Sequence, residues 1–152
     1  MSTTVSPAAA ARRELAGDFG GELIAQGDGA YEEARQVYNA MIDRHPALIA
    51  RCTTPADVAK AIAFARAHDL PLAVRGGGHN GAGLGTCDDG LVIDLSPMNT
   101  VQVDPDARTV RVGGGCTWGQ VDAATHEHGF ATPSGIISTT GVGGLTLGGG
   151  LG

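Results

Sequence analysis

The sequence predicts an α+β fold, and three observations predict it. A strand–helix–strand run surrounds the capped segment Thr54-Pro55-Ala56-Asp57. Two alternating apolar segments joined by Asp104-Pro105-Asp106-Ala107-Arg108 read as a hairpin. Glycine triplets follow the ends of apolar strands, interleaved with Val, Leu and Ile, instead of forming the polar, Ser-rich runs of flexible linkers. At 152 residues the chain is long enough for one domain with a real core.

Residues 1–29 read as a partly flexible leader, Ala- and Ser-rich and then Gly-interrupted; Leu15, Phe19, Leu23 and Ile24 have helical spacing and predict a short docked helix. Tyr31 to Ile42 predicts a helix with Ala34, Val37, Tyr38 and Met41 on one face. Ala47 to Arg51 follows Pro46 as a short buried strand. Thr54 then caps a helix with proline in its first turn and an acid three residues after the cap. That helix runs to about His68 with Val58, Ile62 and Ala65 inward. Leu70 to Val74 is the next buried strand, and the crossover between the two implies parallel neighbours in a right-handed βαβ unit. Gly90 to Leu95 is a further strand; Thr100–Asp104 and Thr109–Gly113 form the hairpin. Thr117 caps a helix that Gly129 stops after His128. Ser134 to Gly152 shows no helical period.

Composition excludes several classes. The hydrophobic share is 42%, and no apolar run reaches the roughly 20 residues of a membrane helix. Formal charge is −6 and Lys60 is the single lysine, so no basic track for nucleic acid can be assembled. Cys52, Cys87 and Cys116 have no metal-ligand spacing and no metal is expected. His126 and His128, two apart on a helix, do not face each other and read as surface residues. Cys116 reads as a small residue packed under a helix start, Cys52 as core, Cys87 as a loop residue, and Trp118 and Phe130 as core anchors. No secretory signal is evident, which makes a cytoplasmic setting the expectation.

Of 25 glycines, only five precede residue 75. The first cluster, Arg75-Gly76-Gly77-Gly78-His79-Asn80, ends an apolar strand, where glycines let backbone N–H groups turn toward a bound diphosphate. His79 adds a nucleophilic imidazole. Gly76 to Gly81 also fits G-x-G-x-x-G, with Asp94 as the downstream acid, but that motif must open a helix and Gly81-Ala82-Gly83-Leu84-Gly85 does not. A Walker loop needs Gly-Lys-Ser/Thr, which is missing. Backbone N–H groups would therefore hold the phosphates, with Arg75 nearby.

Four segments in order carry a resemblance: Arg75–Asn80; Gly90-Leu91-Val92-Ile93-Asp94-Leu95-Ser96-Pro97-Met98-Asn99; Gly113-Gly114-Gly115-Cys116-Thr117-Trp118-Gly119; and Gly141-Val142-Gly143-Gly144 with Gly148-Gly149-Gly150-Leu151-Gly152. From about Tyr31 onward the chain resembles the vanillyl-alcohol oxidase / para-cresol methylhydroxylase (PCMH-type) FAD-binding family, its berberine-bridge-enzyme-like branch in particular. The resemblance implies a PCMH-type domain over residues 30–152, two small α/β subdomains with FAD between them, C-terminally incomplete and without the substrate domain. Arg75, Gly76, Gly77, Gly78, His79 and Asn80 would cradle the diphosphate. Gly141, Val142, Gly143 and Gly144 would approach from the other side, and Pro133, Ser134, Gly135, Ser138 and Thr139 would line the same region.

The family's covalent histidine maps onto His79; the alternative is a loop histidine that only hydrogen-bonds the cofactor. Relatives with a second, cysteinyl link carry it where this chain has Ile137, so a single covalent bond is expected. The implied activity is oxidation of a small organic substrate by hydride transfer to flavin N5, with reoxidation by oxygen or another acceptor; no catalytic base is identified. The chain alone is expected to be inactive. A non-catalytic nucleotide-binding or scaffold fragment, and a nicotinamide-linked enzyme, stay open as alternatives.

Overall fold

The computed structural model describes residues 6–150; Met1–Val5, and Leu151-Gly152 at the end of the last glycine motif, lie outside the described residues. Helix α1 (Pro7–Leu15) starts at Ser6, whose hydroxyl accepts from the Ala9 N–H, and it buries Ala10, Ala11 and Leu15. Strand β1 (Glu22–Ile24) follows. The stretch read as a leader thus supplies a helix and an edge strand to the core, and Leu23 and Ile24 lie in the strand, outside any helix. Three residues are too few to show a period in the sequence.

Helix α2 is one turn only, Tyr31–Ala34. The helix read through Ile42 stops because Asn39 folds back, its Oδ1 accepting from the Met41 N–H, and the Tyr38 N–H donates to the Gly78 carbonyl. Tyr38 and Met41, read as part of a packed face, are exposed. Strand β2 (Leu48–Arg51) and helix α3 (Pro55–Ala67) match the reading. Thr54 and Asp57 form a reciprocal capping box. Ala61, Phe64 and Ala65 make α3's buried face together with Asp57, whereas Ile62 points outward.

Strand β3 is Leu72–Arg75, two residues later than read, because Pro71 cannot donate to a ladder. It is half-buried: Ala73 and Arg75 face inward, while Leu72 and Val74 are 41% and 53% exposed. With β4 (Leu91–Asp94) the sheet order is β1-β2-β4-β3. β2 and β3 both run parallel to β4, and β1 pairs antiparallel with β2. The α3 crossover therefore skips a strand position, which β4 fills. Leu48, Ile49, Leu91, Val92 and Ile93 are fully buried on the two faces of this sheet, each stabilising the fold by about 1.5–3 kcal/mol relative to exposure.

The second unit begins with the hairpin β5 (Val101–Asp104) and β6 (Thr109–Val112), as read. Helix α4 (Trp118–His126) buries Trp118 and Val121 with Cys116, against Val101 and Val112. The Gln120 side chain accepts from the Thr117 N–H at its start. Phe130, read as a core anchor, is only half-buried. A further helix, α5 (Val142–Gly148), was not legible in the sequence: four of its seven residues are Gly or Thr, and Val142 and Leu145 alone pack on the Trp118 cluster. Among the described residues no helix is long and apolar enough to cross a membrane.

Candidate functional site

The parallel strands β2, β4 and β3 end in register at Arg51, Asp94 and Arg75. Asp94 is 2% exposed; its Oδ2 accepts from the Arg75 guanidinium at 3.0 Å and from Arg51 Nε at 3.4 Å, and its Oδ1 accepts from the Ser96 N–H. Arg75 also donates to the Gln36 carbonyl at 3.2 Å. Arg75, read as a phosphate neighbour, pairs with Asp94 at the strand ends and also lines the cavity beside the glycine loop. Asp94, which would bind a ribose in the dinucleotide motif, is its partner instead. The cue was available: two opposite charges at the ends of neighbouring parallel strands.

Beyond this pair the chain leaves the sheet as the glycine loop. None of the six backbone N–H groups from Gly76 to Gly81 donates a hydrogen bond to another described residue. Gly78 has φ +68°, in the left-handed region that glycine occupies without strain. Gly77 lies against Gly141: a Cβ on Gly77 would sit 2.4 Å from Gly141 N, and one on Gly141 would sit 2.3 Å from Gly77 N. The two glycines are required by each other, backbone on backbone, where the two units of the fold meet.

Above this contact lies a cavity of about 430 Å³, walled by Arg75–Gly81 on one side and by Thr140, Gly141, Gly144 and Leu145 on the other. Gly81 and Gly144 have open space where a Cβ would project. A second hollow of about 340 Å³ shares Arg75–His79 with the first and adds Tyr38, Asp94 and Thr139. His79 borders both. Its Nε2 lies 3.0 Å from Thr139 Oγ1, and its ring stacks on Tyr38 with centroids 3.9 Å apart and planes 18° from parallel. Tyr38 had no signal in the sequence, because its role comes from the broken helix after Ala34.

The remaining residues read as cofactor-lining divide. Asn80, Gly141 and Gly144 join the main cavity. Pro133 and Ser134 line a separate hollow of about 370 Å³ with Trp118, which shares Leu145 and Gly149 with the main one. Gly135 packs against Leu145 and Trp118, Val142 joins the Trp118 cluster, Gly143 abuts the Gly114 carbonyl, and the Ser138 carbonyl accepts from the Gly119 N–H. These four build the wall behind the cavity. Ile137 is half-exposed beside them. Burial raises the Cys116 thiol pKa against one opposing N–H, from Gly113, and pushes Cys52 up to about 12, with the Asp57 and Asp94 charges adding to it. Neither thiol is poised as a nucleophile.

A run of N–H groups without partners among the described residues, in a cavity-lining loop at a parallel sheet's carboxyl end, suits a ligand rich in acceptor oxygens. The fold and the site define a nucleotide-cofactor-binding protein. The FAD binding domain family matches residues 46–152, and the chain belongs to it. It is 35% identical over 132 residues to the FAD-linked oxidoreductase YgaK of Bacillus subtilis and 36% identical over 132 residues to (R)-6-hydroxynicotine oxidase of Paenarthrobacter nicotinovorans. Each alignment covers 87% of this chain and 29% of the relative, so the chain spans less than a third of the relatives' length. Among solved structures, 6-hydroxy-D-nicotine oxidase of Arthrobacter nicotinovorans superposes with a TM-score of 0.86 at 35% identity, over 88% of this chain and 30% of that one. BBE-like 1 of Physcomitrella patens gives 0.81 at 32%, over 88% and 29%. The mixed α/β architecture is that of PCMH-type FAD-binding domains.

Proposed function

We propose that this chain is the FAD-binding part of an oxidoreductase that oxidises a small organic substrate, with FAD held between the two units and bonded to His79. The single observation that carries the reading is the run of unpaired N–H groups from Gly76 to Gly81 with His79 inside it. In this reading the N–H groups of Gly76–Asn80 bind the diphosphate, since the buried Arg75–Asp94 pair keeps the loop in place without competing for it. Gly144 leaves room for the cofactor, and Gly141, backed by Val142 and Gly143, closes the wall opposite the loop. Pro133, Ser134, Gly135, Ser138 and Thr139 extend the same wall, and residues 30–152 form the binding unit. A flavin bound there would supply the redox chemistry, hydride acceptance at N5 and return of the electron pair to oxygen or another acceptor. A base and most substrate contacts would come from the part of the relatives' length that residues 1–152 do not span.

Acid precipitation tests the reading. The protein is denatured in acid, freed of small molecules and examined for flavin absorbance and fluorescence. Retained flavin that is lost in His79→Ala is the expected result. A colourless chain that also fails to bind added FAD overturns it in favour of a non-catalytic scaffold, and tight binding of NAD instead points to a nicotinamide-linked enzyme.

A further inference from the structure

The surroundings of His79 bear on how its ring would react. Two elements distant in sequence fix the imidazole: Tyr38 covers one face, and the Thr139 hydroxyl meets Nε2 at 3.0 Å. Rotation about the ring axis would break the second contact and misalign the first. Nδ1 has no hydrogen-bond partner among the described residues. A neutral imidazole carries one N–H and one lone pair, and a hydroxyl can meet either at Nε2, so Thr139 fixes the direction of the ring and leaves Nδ1 free to react.

We infer that Thr139 is a positioning residue for His79: its hydroxyl holds Nε2 in either tautomer, fixes the ring, and leaves Nδ1 as the nitrogen that bonds to the flavin. The inference rests on the reading that His79 carries FAD. In the step, a bond forms between Nδ1 and the carbon of the flavin 8-methyl group. One methyl C–H and the imidazole N–H are lost as protons. The electron pair released passes through the flavin ring to dioxygen, so that imidazole, methyl group and dioxygen become the N–C link and hydrogen peroxide. Before the step Nε2–H donates to Thr139 Oγ1; afterwards Nε2 has a lone pair and the hydroxyl donates to it. A hydroxyl serves both states because it can donate and accept, and an alkyl group serves neither. Serine keeps this ability; valine, of similar shape to threonine, loses it.

The test uses the full-length protein prepared without flavin and mixed with saturating FAD, so that differences in affinity drop out. The rate at which flavin becomes resistant to acid precipitation is followed. Thr139→Val is expected to slow attachment about tenfold, the effect of one hydrogen bond on the reactive population. Thr139→Ser is expected to stay near the wild-type rate. NMR of the flavin-bearing peptide from the wild type should show the link at Nδ1. Attachment in Thr139→Val at the wild-type rate, equal slowing by serine and valine, or a link through Nε2 overturns the inference while leaving the covalent reading intact. A wild type with no acid-stable flavin removes the covalent reading itself, and the inference with it.

Discussion

Replacing Gly77 by alanine tests whether the two units meet through bare backbone. The new Cβ would stand 2.4 Å from Gly141 N, 2.7 Å from Gly141 Cα and 3.1 Å from Thr139 O. Ordinary contact begins near 3.4 Å, so one loop must retreat by about 1 Å. All three obstructing atoms are main chain, and no rotamer change relieves them. Overpacking of this kind costs about 2–3 kcal/mol, which for a chain of this size lowers Tm by about 4–12 °C. Gly141→Ala should cost a similar amount, its Cβ lying 2.3 Å from Gly77 N. The double variant should cost less than the sum, because the first displacement makes room for the second. Gly144→Ala is the contrast. No heavy atom lies within 4 Å of its Cβ position, and it faces the cavity. Its Tm should hold, while FAD affinity falls about tenfold from the methyl intruding on the ligand. Calorimetry and FAD titration of the four proteins separate the cases. A Gly77→Ala protein that melts like wild type would refute the backbone-contact argument, and a Gly144→Ala protein with full FAD affinity would refute the placement of the cofactor.

Asp57 offers a pH test. Burial alone would raise its pKa, but the N–H of Gly20, the Thr53 hydroxyl and N–H, and the Thr54 N–H all donate to it and hold it at about 2. Its folded pKa is below the unfolded value near 3.8, so its contribution is present above that value and disappears as pH falls from there to about 2. Asp57→Asn should lose about 1–2 kcal/mol at pH 7 in urea unfolding, and the two proteins should converge by pH 2; a constant gap down to that pH would sink the idea. Asp94→Asn leaves the guanidinium of Arg75 buried without its counter-charge and should cost about 3–5 kcal/mol, with a loss below 1 kcal/mol in urea titration counting against a locked strand end. His79→Ala should release all acid-stable flavin, as judged by fluorescence of the precipitated protein.

Legibility followed local chemistry. The α3 cap was readable because Thr54, Pro55 and Asp57 each satisfy an N-terminal requirement within four residues. The β5–β6 hairpin was readable because its turn residues interrupt a strict alternation. The elements that failed depend on distant partners. The helix after Tyr31 breaks where Gly78 captures the Tyr38 N–H from 40 positions downstream. α5 forms on a Gly-rich sequence because Val142 and Leu145 find the Trp118 cluster already in place. The glycine loop and the Gly141 loop were legible as neighbours, and residues on both line one cavity. The sorting of Pro133 and Ser134 into a neighbouring hollow, and of Arg75 into a structural pair, required the fold.

The glycine loop also joins two demands that the sequence presents as one. At Gly77 and Gly141 the missing side chain lets two main chains touch, which fixes the second unit on the first. Packing by backbone has a consequence for hydrogen bonding. The loop is too irregular to enter a ladder, and the Asn80 side chain accepts from the N–H groups of Ala82 and Leu84, not from those of residues 76–81. The six consecutive N–H groups of Gly76–Gly81, those of Gly76–His79 half-buried, are left without a partner among the described residues in a loop that lines the cavity. Leaving half-buried N–H groups without a partner costs stability unless water or a ligand satisfies them. Folding and cofactor capture should therefore be coupled: what holds the units together also leaves the donors that, in the proposed reading, FAD would satisfy. Saturating FAD should raise Tm in wild type by mass action. In Gly77→Ala, where the loops part, that FAD-induced shift should shrink together with the baseline Tm. If the full FAD shift survives on a lowered baseline, the two demands are separable and the donors are set by β3 alone.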